Sequence, residues 1–247
     1  MKLDTTINKY ITGELFSSGL DFPFLSEMYP NETRLEKIIE LTENKRVIHV
    51  GCADHLQLIE EKIKTKKWLH GLLIENTDFC IGIDNNQETV NFINKKLGLK
   101  DVYCIDITAD NQLFSDNSQW DFMILGDIIE HIDNPVYFLS KIKENFEGKV
   151  DKILITVPNV YNLLTINDIK NNKENINTDH RYLYSPFTLT KVVSSSGFYN
   201  FELFFSERIK LPFLKAVLRR LKLLIGISSS FHANCFSSLI MIADFKK

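Results

Sequence analysis

The sequence predicts an α/β fold built on a doubly wound, mostly parallel sheet, and two patterns carry the prediction. Short apolar runs rich in Val, Ile and Leu recur without the alternation of a half-exposed strand, as strands buried on both faces do. Between them lie stretches with apolar residues at helical spacing, so strand and helix alternate along the chain. The first run, Val47-Ile-His-Val50, ends abruptly at Gly51, and Leu56, Leu58, Ile59 and Ile63 follow at helical spacing. Strand, glycine turn and helix in that order form the place where such folds bind ligands, because backbone N–H groups at the helix start point into the crevice. The 247 residues suit one large domain of this class, or a domain with a small appendage.

Residues 1–30 carry Phe16, Leu20, Phe22, Phe24, Leu25, Met28 and Tyr29 without periodicity. They are too apolar for a free tail and are expected to form an N-terminal cap on a main domain spanning 31–247. Pro30-Asn31 opens a helix with Leu35, Ile38, Ile39 and Thr42 on one face. The helix after Gly51, from about His55 to Lys66, is followed by a second short one over Trp68–Ile74. Phe79–Asp84 reads as the second strand, Gln87–Leu97 as a helix stopped by Gly98, and Asp101–Asp106 as the third strand. Trp120–Leu125 is the fourth strand. Asn134-Pro135 starts a helix that buries Val136, Leu139, Ile142 and Phe146. Lys152–Val157 is the fifth strand, and Asn167–Asp179, rich in Asn, Lys and Asp, reads as a mobile loop. Ser185-Pro186 opens a helix that runs to Gly197. Strands over about Tyr199–Ser206 and Cys235–Phe245 bring the sheet to seven, the last pair forming an antiparallel edge.

Residues 207–232 are expected to be a helical insertion before the last strand. Within it, Leu214, Val217, Leu218, Leu221, Leu224 and Ile225 form one stripe, opposed by Lys215, Arg219, Arg220 and Lys222. Such a helix packs over the mouth of the site, or residues 208–225 make peripheral contact with an anionic membrane surface.

The composition narrows the function classes. A net charge of −3 supplies no overall attraction to nucleic acid, so no nucleic-acid partner is expected. Cys52, Cys80, Cys104 and Cys235 are widely spaced and lack a Cys-x-x-Cys pair; they read as free thiols in a reducing compartment rather than as disulfides or zinc ligands. No metal is expected. The first residues lack the apolar core of a signal peptide, and no stretch reaches the ~18 apolar residues of a membrane span, so the expected location is the cytoplasm.

Ligands of such sheets lie at the carboxyl ends of the strands. Those positions hold Gly51, Asp84, Asp106 and Gly126-Asp127. A carboxylate at Asp84 is placed to accept hydrogen bonds from both hydroxyls of a ribose, each worth ~1.5–3 kcal/mol when charge-assisted. Asp106 suits an exocyclic amine and Asp127 a ligand ammonium. A single acid at a strand end is usually a turn former. Three at successive strand ends after a glycine turn point to a nucleoside-bearing ligand.

At this level the sequence resembles class I S-adenosylmethionine-dependent methyltransferases, which have a Rossmann-like fold. The resemblance runs through Val47-Ile-His-Val-Gly-Cys, Gly82-Ile-Asp84, Asp106-Ile-Thr and Asp121-Phe-Met-Ile-Leu-Gly-Asp-Ile-Ile-Glu-His131. It continues through Asn134-Pro135, Leu154-Ile-Thr-Val-Pro-Asn159 and His180-Arg-Tyr-Leu-Tyr-Ser-Pro-Phe-Thr-Leu189, covering about residues 32–205. In pattern it is nearest to small-molecule O-methyltransferases, including those linked to bacterial surface polysaccharides. The resemblance implies S-adenosyl-L-methionine as cofactor and a small-molecule or carbohydrate-type acceptor. By it, Gly51 faces the methionine part, Asp84 the ribose, Asp106 and Ile107 the adenine, and Gly126 and Asp127 the methionine end; Ala53 and Asn85 complete the cofactor-binding set. The family's first turn is usually Gly-x-Gly-x-Gly, whereas Ala53 and His55 stand at its second and third glycine positions, where a β-carbon would crowd the cofactor or shift the turn. Asp84 also lies beyond the ~20 residues expected after the turn. The Trp68–Ile74 segment accounts for the excess and is expected to pack outside.

Methyl transfer to oxygen benefits from a base, typically by ~10²–10⁴-fold. His131 is the leading candidate, with Glu130 to orient it, and His180 is the second, on a loop able to cover a substrate. His49 reads as a satisfied core residue and His55 as a turn residue. Two other classes remain in competition. Tyr137-Phe-Leu-Ser-Lys141 matches the Tyr-x-x-x-Lys of NAD(P)-dependent short-chain dehydrogenases, but the Gly-rich pyrophosphate loop that those enzymes need is missing after the first strand. A non-catalytic binding protein on the same fold is the other, opposed by the intact set of Asp84, Asp106 and Asp127.

Overall fold

The computed structural model of the protein describes residues 5–23, 32–54, 56–109, 114, 118–209 and 233–247. One seven-stranded sheet organises them, in the order β3-β2-β1-β4-β5-β7-β6. The strands are β1 (Arg46–Val50), β2 (Phe79–Asp84), β3 (Val102–Cys104), β4 (Trp120–Gly126), β5 (Val150–Pro158), β6 (Tyr199–Arg208) and β7 (Phe236–Asp244). β1 pairs in parallel with β2 on one side and β4 on the other, and the parallel pairing continues to β3 and β5. β7 runs antiparallel between β5 and β6 and makes the antiparallel edge. The strand order reverses at β1 and β4, which puts a crevice at their carboxyl ends.

Period-two alternation sorts each strand's side chains onto two cores. Ile48, Val50, Met123, Leu125, Ile153, Ile155 and Met241 face one side, covered by α6 (Pro135–Phe146) and α8 (Pro186–Ser195) through Leu139, Ile142, Leu189 and Val193. Val47, Phe122, Ile124, Leu154 and Ile240 face the other, where α2 (Arg34–Thr42) contributes Ile38 and α4 (Leu69–Asn76) contributes Leu73. A third cluster seats α3 (Leu56–Lys64) and α5 (Gln87–Lys96), through Ile59, Val90 and Ile93, against Val102 and the Cys52–Ala53 turn.

The helix starts follow side-chain capping. Asn86, Asn134 and Ser185 cap α5, α6 and α8, with proline at the first position of the last two. α2 begins later than Pro30-Asn31: Thr33 is its cap, in a reciprocal capping box with Glu36, while residues 24–31 lie outside the described residues. The stretch Asn167–Asp179 is not all loop, because α7 (Leu163–Lys170) runs into it from a cap at Asn162. The third strand is shorter than Asp101–Asp106; the chain leaves the sheet after Cys104, and Asp106 instead closes a turn onto the N–H and hydroxyl of Thr108.

In the N-terminal region α1 (Thr5–Thr12) packs on α8: Ile11 is buried, and Lys191 Nζ donates to the carbonyls of Ile11 at 2.6 Å and Tyr10 at 3.2 Å. Phe22 meets Phe187 edge-on. His55 and residues 210–232, which hold the amphipathic stripe, lie outside the described residues. All four cysteines are free. Among the described residues no helix is long and apolar enough to cross a membrane.

The Trp68–Ile74 segment leaves the strand order untouched but is part of the core. Trp68, His70 and Leu73 are buried, and the Trp68 indole donates to the Cys52 carbonyl at 3.1 Å. His70 reaches across to His49 on β1, Nδ1 to Nδ1 at 3.3 Å, so one ring donates and the other accepts. Glycine at position 82 leaves room for this helix: a β-carbon there would lie 2.8 Å from the His70 ring and 2.7 Å from Cys52 Sγ. Burial holds His70 down to about 4 and pushes His49 well below the ordinary imidazole range, with the neighbouring His70 and Arg34 adding to the effect. Both rings are therefore neutral in the fold at pH 7, while free imidazoles of the unfolded chain take up protons below about pH 6.5. Stability is full above that value and falls as pH drops toward 4. In urea unfolding, the His70→Gln protein should be less stable than the parent at pH 7 yet lose ~2 kcal/mol less on going to pH 5. Equal losses in the two proteins would show that His70 is not held neutral.

Candidate active site

A cleft of about 610 Å³ opens at the carboxyl ends of β1 to β4, and ten of the eleven predicted site residues line it: Gly51, Asp84, Asn85, Asp106, Ile107, Gly126, Asp127, Glu130, His131 and His180. The turn after β1 is folded onto β2, for the Ile83 carbonyl accepts from the N–H of both Gly51 at 2.8 Å and Cys52 at 3.2 Å. Gly51 has φ +71°, and a β-carbon there would lie 2.1 Å from Ile128 Cδ1. This position needs glycine for its backbone and for its space. Ala53 is the one predicted residue that does not line the cleft. Its side chain is buried with Ile59 and Val90, so it does not crowd the opening as its place in the glycine pattern suggested. Its N–H instead donates to Asp84 Oδ2 at 3.0 Å, while Asn86 N–H donates to Oδ1 at 2.9 Å. Two amides thus fix the carboxylate at the cleft wall, and each oxygen keeps a lone pair for a further donor. Asn85 beside it is exposed, as is Asp106, and Ile107 is buried under the same wall.

The opposite wall is a charged network. Asp127 adopts φ +56°, a left-handed conformation for a non-glycine residue. That strain is held by Thr156, whose backbone carbonyl and Oγ1 both accept from the Asp127 N–H and whose hydroxyl donates to Asp127 Oδ1 at 2.8 Å. Arg34 completes the group, with Nη1 3.1 Å from Asp127 Oδ2 and 3.0 Å from Thr156 Oγ1. Sequence reasoning missed Arg34 and Thr156. A signal existed for Arg34: it is the first residue of α2, where a cation opposes the helix dipole and needs another reason to be there. Its own N–H is anchored on Glu207 Oε2 at 2.9 Å.

Glu130, His131 and His180 meet at the end of the cleft. Glu130 and His131 lie on a short 3-10 turn, Ile129–His131, and the loop before α8 brings His180 against it. The two imidazoles touch edge to face, ring centres 4.6 Å apart. Arg181 and Tyr182 N–H groups both donate to the Glu130 carbonyl, and Arg181 Nη1 donates to that of His131 at 2.7 Å. Backbone bonds therefore hold the two histidine-bearing segments together. The Glu130 side chain is fully buried, and neither carboxyl oxygen has a hydrogen-bond partner. The expected orienting bond to His131 is not made. Burial, with Asp127 adding to it, pushes this carboxyl up to about 8. Burial and His131 lower His180. Tyr137 and Lys141, the dehydrogenase-like pair, sit on the solvent side of α6: Tyr137 is exposed and Lys141 pairs with Glu144 at 2.7 Å.

No protein-family model matches the sequence, and no curated protein matches it. Solved structures do resemble the fold. A SAM-dependent methyltransferase from Thermotoga maritima, described as a possible histamine N-methyltransferase, is 15% identical with a TM-score of 0.54, the match covering 86% of this chain and 87% of that one. A SAM-dependent methyltransferase from Archaeoglobus fulgidus is 19% identical with a TM-score of 0.51, over 85% of this chain and 91% of that one. The small RNA methyltransferase HEN1 is 14% identical with a TM-score of 0.56, over 94% of this chain but only 27% of that one. The chain has the class I methyltransferase fold.

The Gly51 turn gives a direct test of the site's frame. Gly51→Ala should cost about 1–2 kcal/mol from backbone strain alone, read by denaturant unfolding. Combining it with Ile128→Ala, which removes the clash, should recover part of any loss beyond that figure. A fully stable Gly51→Ala protein would show that the turn does not hold this conformation.

Proposed function

We propose that this chain is an S-adenosylmethionine-dependent methyltransferase acting on an oxygen of a small-molecule or carbohydrate-type acceptor, with surface polysaccharide biosynthesis as a fitting setting. The observation that carries the reading is the Asp84 carboxylate, fixed on the cleft wall by two amides at the end of β2, directly across from the glycine turn. In this fold that pairing suits a ribose lying over the β1–β2 ends. The residues present fit the cofactor: the turn's β-carbon-free position is Gly51, the side chain of Ala53 is turned away into the core, and Ile105, Asp106 and Ile107 line the wall beside Asp84. On this reading Asp84 and Asn85 hold the ribose, Asp106 and Ile107 the adenine, and Gly51, Gly126 and Asp127 the methionine part. When bound, S-adenosylmethionine supplies a methyl group on a sulfonium sulfur.

The chain's own contribution is placement and proton removal. In-line methyl transfer is helped chiefly by positioning, which the rigid turn and the Asp127–Thr156–Arg34 network provide. An acceptor hydroxyl gives up its proton at the Glu130–His131–His180 end of the cleft, where His131 is the candidate to receive it. A net charge of −3 supports a small acceptor over nucleic acid, and four free thiols support a cytoplasmic setting.

Calorimetric titration tests this. The protein should bind S-adenosylmethionine and S-adenosylhomocysteine but neither NAD nor NADP, and Asp84→Ala should weaken binding at least tenfold, ~1.4 kcal/mol. Absence of binding by the methionine cofactors would leave a non-catalytic protein on this fold as the better reading. His131→Ala should keep cofactor affinity within about twofold and reduce turnover by ~10²-fold or more. Unchanged turnover would remove His131 from the chemistry.

A further inference from the structure

Glu130, His131 and His180 each offer a metal-binding atom, and these atoms lie within 4.8 Å of one another. Bonds of ~2.0–2.2 Å from such donors to a cation put neighbouring donor atoms roughly 3–3.5 Å apart. Closing the remaining gap, at most ~1.3–1.8 Å, needs only side-chain rotation. Convergence alone would be weak grounds, but the carboxyl of Glu130 adds an independent one. It is fully buried, and both of its oxygens lack any hydrogen-bond partner. A buried polar group left so is costly, and its presence calls for a partner that the protein itself does not supply. No ring-nitrogen hydrogen bond is made by His131 or His180 within the described residues, so both imidazoles are available as ligands. The two arginines beside the group are already committed, Arg34 to Asp127 and Thr156 and Arg181 to Asp133 and the His131 carbonyl.

We infer that Glu130, His131 and His180 form a binding site for a divalent transition-metal cation, with open coordination positions turned toward the cleft. Two imidazoles and one carboxylate favour ions such as Zn²⁺, Mn²⁺ or Co²⁺ over Mg²⁺, which prefers oxygen ligands. The backbone bonds from Arg181 and Tyr182 to Glu130, and from the Arg181 side chain to His131, preset the separation of the two segments before any ion arrives.

This inference rests on the methyltransferase reading only for what the cation does, and it deepens that reading by naming the acceptor's chemistry. Three protein ligands leave two positions on a five-coordinate ion, which suits an acceptor with two vicinal oxygens, such as the diol of a sugar ring. Coordination lowers the pKa of one hydroxyl, which releases its proton to solvent. The resulting alkoxide forms the new O–CH₃ bond as the S–CH₃ bond breaks, and the sulfonium becomes a neutral thioether. His131 then serves as a ligand instead of a base.

Titration of the full chain with Co²⁺, followed by its visible absorption and without cofactor, tests the site. One equivalent should bind, Zn²⁺ should displace it, and Glu130→Gln and His180→Asn should each weaken binding at least tenfold. His180 lies in a half-exposed loop, so that variant carries the test even if Glu130→Gln does not fold. No Co²⁺ band at millimolar metal, or binding equally tight in a folded variant, would overturn the site. Catechol, as a vicinal-diol probe, should change the spectrum of the bound Co²⁺; an unchanged spectrum would overturn the chelated acceptor. Methyl transfer that survives excess chelator would sink the cation's role and leave the methyltransferase reading standing. Metal binding without any binding of S-adenosylmethionine would do the reverse.

Discussion

The carbonyl of Ile83 carries the geometry of the whole cleft. By accepting from both Gly51 and Cys52 it draws the end of β1 across the end of β2, and that displacement lets the Ala53 amide reach Asp84. The interaction is cheap in sequence, since it needs one glycine and no particular side chain at 52 or 53. It explains why a turn with few glycines still frames the crevice. The backbone frames the opening that the glycine pattern usually signals, and the β-carbon of Ala53 is buried in the core.

The opposite side of the crevice is held by charge instead of backbone. Asp127 is in a conformation its side chain disfavours, and it stays there because Thr156 and Arg34 satisfy its amide and carboxylate together. Arg34 comes from a helix preceding the sheet, Thr156 from the fifth strand, and Asp127 from the end of the fourth. A site assembled from three separate elements keeps its shape only while the sheet is intact, so stability and site geometry are coupled here. The neutral His49–His70 pair sits beneath the same crevice and ties that coupling to pH.

The sheet was readable because its central strands are buried on both faces and so advertise themselves as unbroken apolar runs. Asp84 and Asp127 were readable for a related reason: a strand that ends in an acid marks the crevice by chain order alone. Arg34, Thr156 and the fixing of Asp84 by the Ala53 amide were not, because each depends on which distant segments the fold places side by side. Glu130 shows the limit most clearly. Its sequence neighbours suggested a partner for His131, but its carboxyl is sealed from water with no hydrogen bond at all, a property that emerges only from packing. The extra helix α7 was missed because Asn caps a helix as readily as it breaks regular structure, and the short third strand because Asp106 closes a turn instead of ending the strand.

The excursion between β5 and α8 begins and ends at one place. Asn159 and Tyr184 bridge, and Val160 N–H donates to the Tyr184 carbonyl at 3.1 Å. Everything between is tethered near its return by Arg181 and Tyr182 on Glu130, while α7 buries none of its residues. Such a closed loop is a cassette. Its length and contents can change at an entropic cost that grows only with the logarithm of its length, without moving His180. The segment over the cleft can therefore vary while the geometry at its base is kept.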